Sequence, residues 1–101
     1  MKYILATAAL LALTPISAFA ALSGYYDSGE QISMILGSAE VADALRQEPI
    51  GQISNTGTRK DGAHEWTIRT QECDLIVYLT PVAPIGVGKT TYSLDVPAAC
   101  Q

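Results

Sequence analysis

The chain has 101 residues, with six Lys and Arg against ten Asp and Glu, one His and two Cys. That length holds one small domain and excludes a two-domain enzyme. A formal net charge of −4 repels phosphate backbones, and the cations are scattered rather than gathered into a stripe, so nucleic acid is not an expected partner.

Residues 1–20 read as a secretory signal peptide. Met1-Lys2-Tyr3 gives a positive start, Ile4 to Leu13 is apolar apart from Thr7, and Pro15 precedes the small residues Ala18 and Ala20 that a signal peptidase reads. The apolar run is about ten residues where a bilayer span needs roughly 20, so no stable membrane anchor is expected after cleavage behind Ala20. No cysteine follows the cut to carry a lipid. The expected mature chain, residues 21–101, has a net charge of −5 and a periplasmic or secreted location.

Residues 21–29 contain Gly24, Gly29 and the pair Tyr25-Tyr26 without periodicity, and are expected to form a flexible lead-in. Residues 30–101 then make one α+β domain. Asp27 with Glu30, and Ser28 with Gln31, form two overlapping capping boxes that predict a helix start, and Ile32, Ile35 and Leu36 follow as an apolar stripe. Gly37-Ser38 interrupts the helix and offers a second N-cap. Val41, Ala44 and Leu45 repeat the helical spacing, Arg46 suits a helix C-terminus, and Pro49 forbids continuation.

From Ile50 the period becomes two. A first strand around Ile50–Thr56 joins a second through a turn at Asp61-Gly62; the opposite parity of Ile50 and Ile53 requires a start after Gly51 or a bulge. Trp66 and Ile68 share one face of the second strand, Leu75, Val77 and Leu79 one face of the third, and Tyr92, Leu94 and Val96 one face of the last. A two-residue turn at Gln71-Glu72 sets Ile68 against Leu75, Trp66 against Val77 and Arg69 against Asp74. The expected architecture is one or two short N-terminal helices packed on a four-stranded antiparallel meander. This order of elements resembles small periplasmic interaction folds, among them the half-domain of β-lactamase inhibitor proteins, a likeness of topology alone.

Cys73 and Cys100, an even pair in a short exported chain, are expected to form a disulfide. The same register arithmetic sets them opposite each other on the apolar face, with Pro97 confining the last strand to an edge. Their wide spacing does not fit a redox C-x-x-C pair, and with only His64 to join them no metal site is expected.

Two motifs point to chemistry that their surroundings do not support. Ala83 to Thr90 fits a relaxed phosphate-loop pattern, yet such a loop needs a helix beginning at its lysine, and Thr91–Val96 alternates as a strand; neither nucleotide nor any other cofactor is expected. His64-Glu65 begins a zinc-protease motif that Ile68 breaks, and no nucleophile elbow accompanies the histidine. A small secreted hydrolase using His64 with Glu65 or a hydroxyl is the alternative reading. The leading expectation is a non-catalytic exported interaction domain, an inhibitor or envelope accessory protein with a protein partner. Its binding element is the irregular segment from Pro81 to Lys89, where Val82, Pro84, Ile85 and Val87 stand among prolines and glycines that limit the entropy lost on binding. Those side chains either meet a partner or cap the open end of the core.

Overall fold

The computed structural model describes residues 22–101; the signal peptide read in residues 1–20 lies outside them. Helix α1 (Gly24–Leu36) and helix α2 (Ala39–Ala44) precede strands β1 (Gln52–Thr58), β2 (His64–Arg69), β3 (Asp74–Val82) and β4 (Thr91–Asp95). The strands form one antiparallel sheet in the order β1-β2-β3-β4, the α+β meander that the periodicity predicts. Among the described residues no helix is long and apolar enough to cross a membrane.

Helix α1 corrects the flexible lead-in. It begins at Gly24, capped by the Ser23 hydroxyl, which accepts from the Tyr26 amide. Tyr25 and Tyr26 are both exposed, so this first turn buries no apolar stripe and leaves no periodic signal. Asp27 and Gln31 consequently stand inside the helix rather than in capping boxes at its start. Ile35 is buried and Ile32 half-buried as expected; Leu36, the last helical residue at the margin of the stripe, stays exposed.

Ser38 caps α2 as its position suggests, accepting from the Val41 amide. The helix ends well before Pro49. Arg46 and Gln47 are left-handed, with φ of 57° and 56°, and the amides of Gln47 and Arg46 donate back to the carbonyls of Ala42 and Asp43. This closing turn satisfies carbonyls that the helix end would otherwise leave free, in a conformation that glycine normally supplies.

In the sheet, β2 and β3 pair Ile68 with Leu75, Trp66 with Val77 and Arg69 with Asp74, the register read from the sequence. Strand β1 satisfies the parity conflict both ways: it starts at Gln52, leaving Ile50 exposed, and it bulges at Thr56, between the Asn55–Trp66 and Gly57–Glu65 pairs. The Asp61-Gly62 turn is present, with Gly62 at φ 92° and the Arg59 amide donating to the Ala63 carbonyl. Ile35, Val41 and Leu45 from the helices meet Trp66, Ile68, Leu75, Val77 and Leu79 in one core, with Ile53, Leu94 and Val96 packed at its margins.

The Cys73–Cys100 disulfide is formed, its Cα atoms 5.5 Å apart. The expected register around it is not kept. Leu79 pairs with Leu94, but β4 ends at Asp95, and beyond Pro97 the amides and carbonyls of Asp74 and Gln101 pair two residues out of that register. Cys100 therefore lies diagonal to Cys73 rather than opposite it. Pro97 has no amide to give the ladder, so the chain leaves the sheet there and rejoins after a short detour.

Candidate functional site

The sheet registers sort the connections into two ends of the molecule. Thr58 pairs with His64 and Val82 with Thr91, which puts the β1–β2 turn and the β3–β4 loop at one end; the β2–β3 turn, the disulfide and the C-terminus occupy the other. The binding element expected from the sequence is at the first end. Val82 belongs to β3 and pairs with Thr91, whereas Pro84, Ile85 and Val87 lie in the loop proper. Ile85 is 104% exposed and Val87 80% exposed, so neither side chain caps the core. Gly86 at φ 90° and Gly88 at φ 146° occupy backbone conformations that L side chains rarely adopt, which ties the loop's path to those two glycines.

The loop's base is fastened to α1. Lys89 forms an ion pair with Glu30, and strand β4, not a helix, follows at Thr91. The lysine of the phosphate-loop pattern is thus directed to a carboxylate on α1, and the residues after it pair with β3 as a strand rather than presenting the free amides of a helix start.

Beneath this contact lies a polar group of four that the sequence reading did not find. Gln31, almost fully buried, accepts from the Trp66 indole N–H at 2.9 Å and donates from Nε2 to Asp27 Oδ2 at 3.2 Å and to the Tyr92 hydroxyl at 3.4 Å. The Tyr92 hydroxyl in turn donates to the Asp27 carboxylate at 2.7 Å. Each polar atom has a partner, and among the described residues no buried side-chain N or O is left without one. The group fixes where α1 sits on β2 and β4. The available signal was the i,i+4 spacing of Asp27 and Gln31 on the helix face that also carries Ile35.

Burial, the hydrogen bond to Asp27 and the nearby negative charge together push the Tyr92 phenol up to about 12. A raised folded-state value stabilises the neutral form, so this contribution is complete below the ordinary tyrosine value near about 10 and is lost as pH rises toward about 12. Urea midpoints measured across that alkaline window are expected to fall. Tyr78, held up by its hydrogen bond to Glu65, contributes in the same direction, so the Tyr92 share is the part that Tyr92→Phe removes. An alkaline fall of the same size in that variant contradicts the assignment.

His64 is half-buried and meets the Tyr92 ring edge-on, with centroids 5.7 Å apart. Glu65 is on the opposite face of β2. Its carboxylate accepts from Thr56 at 2.6 Å and from the Tyr78 hydroxyl at 3.1 Å, so the two residues that the hydrolase alternative joins are directed apart. Arg59 covers the Tyr78 ring at 4.3 Å and pairs with Asp61, whose carboxyl it holds below the ordinary range. Among the described residues no three His, Cys, Asp or Glu side chains gather as metal ligands.

At the far end a groove of about 680 Å³ runs between the end of α2 and the disulfide, lined by Asp43, Arg46, Glu48, Glu72, Cys73 and Cys100. Its charged side chains are mostly acidic. No protein-family model, curated protein or solved structure matches the chain.

Proposed function

We infer that this chain is a non-catalytic exported interaction domain, an inhibitor or envelope accessory protein acting in the periplasm or outside the cell, and that it engages its target through the β3–β4 loop. One observation carries the reading. Ile85 and Val87 stand free of the core on a loop that holds Pro84 and the positive-φ glycines Gly86 and Gly88, anchored at its base by the Lys89–Glu30 pair. Apolar side chains held in water on a restricted loop lose little conformational freedom when they dock. The disulfide suits an oxidising compartment.

The test is fractionation of the processed protein from producing cells. The wild type is expected to remain with the envelope fraction, and Ile85→Ser/Val87→Ser to be released, with roughly tenfold weaker association for two lost apolar contacts. A double variant retained like the wild type removes the loop from the assignment; a wild type that associates with nothing removes the interaction reading itself.

A further inference from the structure

We propose that the free edge of β4, with the groove between it and α1, holds an extended segment of the target as a fifth strand of the sheet, a segment apolar at alternate positions and basic at the end beside Asp95. This deepens the interaction reading, on which it rests, by giving the form in which the target is held. The β3–β4 loop is a separate contact.

The backbone parity of β4 follows from a proline. Pro81 pairs with Tyr92 and has no amide to donate, so that pair is of the non-hydrogen-bonded kind, and the ladder to β3 runs through Thr91 and Ser93, opposite Val82 and Thr80. Asp74 belongs to the same alternate set of β3 residues as Thr80 and Val82, and it exchanges both its backbone bonds with Gln101 on that side of the strand. The amides and carbonyls of Tyr92 and Leu94 therefore point away from the sheet, and among the described residues none of them takes a partner. The other outer strand, β1, is bulged, whereas β4 keeps an unbroken register. An outer strand with regularly spaced free amides is a template for one more strand.

A groove runs beside that edge. One part of it, about 550 Å³, has Met34, Ser38 and Glu40 facing Tyr92, Ser93 and Leu94. The other, about 370 Å³, has Glu30 and Ser33 facing Thr90 and Thr91, and Met34 and Tyr92 belong to both. Successive strand residues put their side chains on opposite faces, so a wall made of three in a row is the backbone edge itself. Tyr92 and Leu94 are only half-buried although they face the helices, and Met34 is exposed. Every second side chain of an added strand enters the space between Met34 and these two, where an apolar one gains most.

The charges select the occupant. Lys89 is spent on Glu30, which leaves Glu40 without an ion pair among the described residues. Asp95 follows Leu94 at the same end; Arg59 feels its charge, but the guanidinium gives its hydrogen bonds to both oxygens of Asp61. A basic residue on the incoming strand complements this end. A second copy also offers β4, but it sets a net charge of −5 against −5, so a foreign strand carrying Lys or Arg is the better fit.

The experiment is titration of the processed protein with a fluorescein-labelled peptide, Lys-Lys-Val-Thr-Val-Thr-Val, read by anisotropy and by amide hydrogen exchange. In antiparallel register its first two valines oppose Leu94 and Tyr92, and its lysines lie at the Asp95 end. Saturable binding is expected. It slows exchange of the Tyr92 and Leu94 amides, which in the free domain exchange faster than the Ser93 amide. N-methylation of those two valines keeps their side chains, removes their amides and weakens binding about tenfold or more. Glutamate in place of both lysines weakens it about tenfold, as does Met34→Lys on the helix wall. Ile85→Ser/Val87→Ser leaves the affinity unchanged, because the peptide ends before the loop; a loss equal to that of Met34→Lys overturns the edge assignment. Unaltered Trp66 fluorescence shows that each variant is folded. An N-methylated peptide that binds like its parent also overturns the edge assignment, and a glutamate peptide that binds equally overturns the basic occupant. A wild type that binds no peptide up to about 1 mM yet stays with the envelope fraction overturns the edge assignment and leaves the interaction reading. One that binds no peptide and sediments as a dimer has its edge filled by a second copy, which overturns the foreign strand. Saturable binding by a wild type that associates with no cell fraction supports the edge and removes the envelope target; a wild type that does neither overturns both readings.

Discussion

Replacing Cys73 and Cys100 together with alanine lowers the unfolding free energy by roughly 3 to 4 kcal/mol, the chain-entropy value for a loop closed across a sequence separation of 27. A domain of this size holds on the order of 4 to 12 kcal/mol in total, so the bridge is a large share of its stability. The cost is first felt at the C-terminus, where beyond Pro97 the backbone pairing of Asp74 with Gln101 is the contact that returns the chain to the sheet. Urea unfolding followed by the fluorescence of buried Trp66, with and without reductant, measures the effect. A difference below about 1 kcal/mol would show that the denatured chain gains little freedom when the bridge is absent.

Gln31→Leu is expected to cost about 2 to 3 kcal/mol although it keeps the volume of the side chain and makes it more apolar. The penalty comes from the groups left behind: the Trp66 indole N–H loses its acceptor in a buried site, and Asp27 and Tyr92 lose a shared neighbour. Trp66→Phe added to Gln31→Leu removes the orphaned donor and recovers part of the loss, so the cycle of single and double variants gives a coupling of about 1 kcal/mol or more. Additive single effects would mean that the indole finds water when Gln31 is gone.

These two sites mark the boundary of what the amino-acid order reveals. The sheet was legible because its alternation is strict: Trp66 and Ile68 can face Leu75 and Val77 in one register that also pairs Arg69 with Asp74. A one-residue slip would expose the apolar face of either strand. The disulfide was legible from cysteine count and parity, but the detour at Pro97 was not, because a missing amide says that the ladder stops and not where it resumes. The start of α1 was misread because its first turn buries nothing, so the periodic signal used to find helices is absent there. The four-residue polar group escaped for a different reason. Its members come from α1, β2 and β4, and their hydrogen bonds depend on how the helix lies on the sheet, which no local pattern encodes. Of the loop, the positions of Val82, Pro84, Ile85 and Val87 were readable, but whether they turn toward the core or into water was decided only by the folded chain.

The bulge at Thr56 has a consequence for how this protein behaves when it is crowded. Strand β1 is an outer strand, and a straight run of unpaired amides along it would template the addition of another strand. The extra residue and the following Gly57, at φ 154°, break the spacing of those amides and twist the outer strand away from flatness. Copies meeting side by side cannot continue the ladder along its full length. A chain that displays Ile85 and Val87 to solvent thereby denies its neighbours, along β1, the flat margin on which fibrils grow.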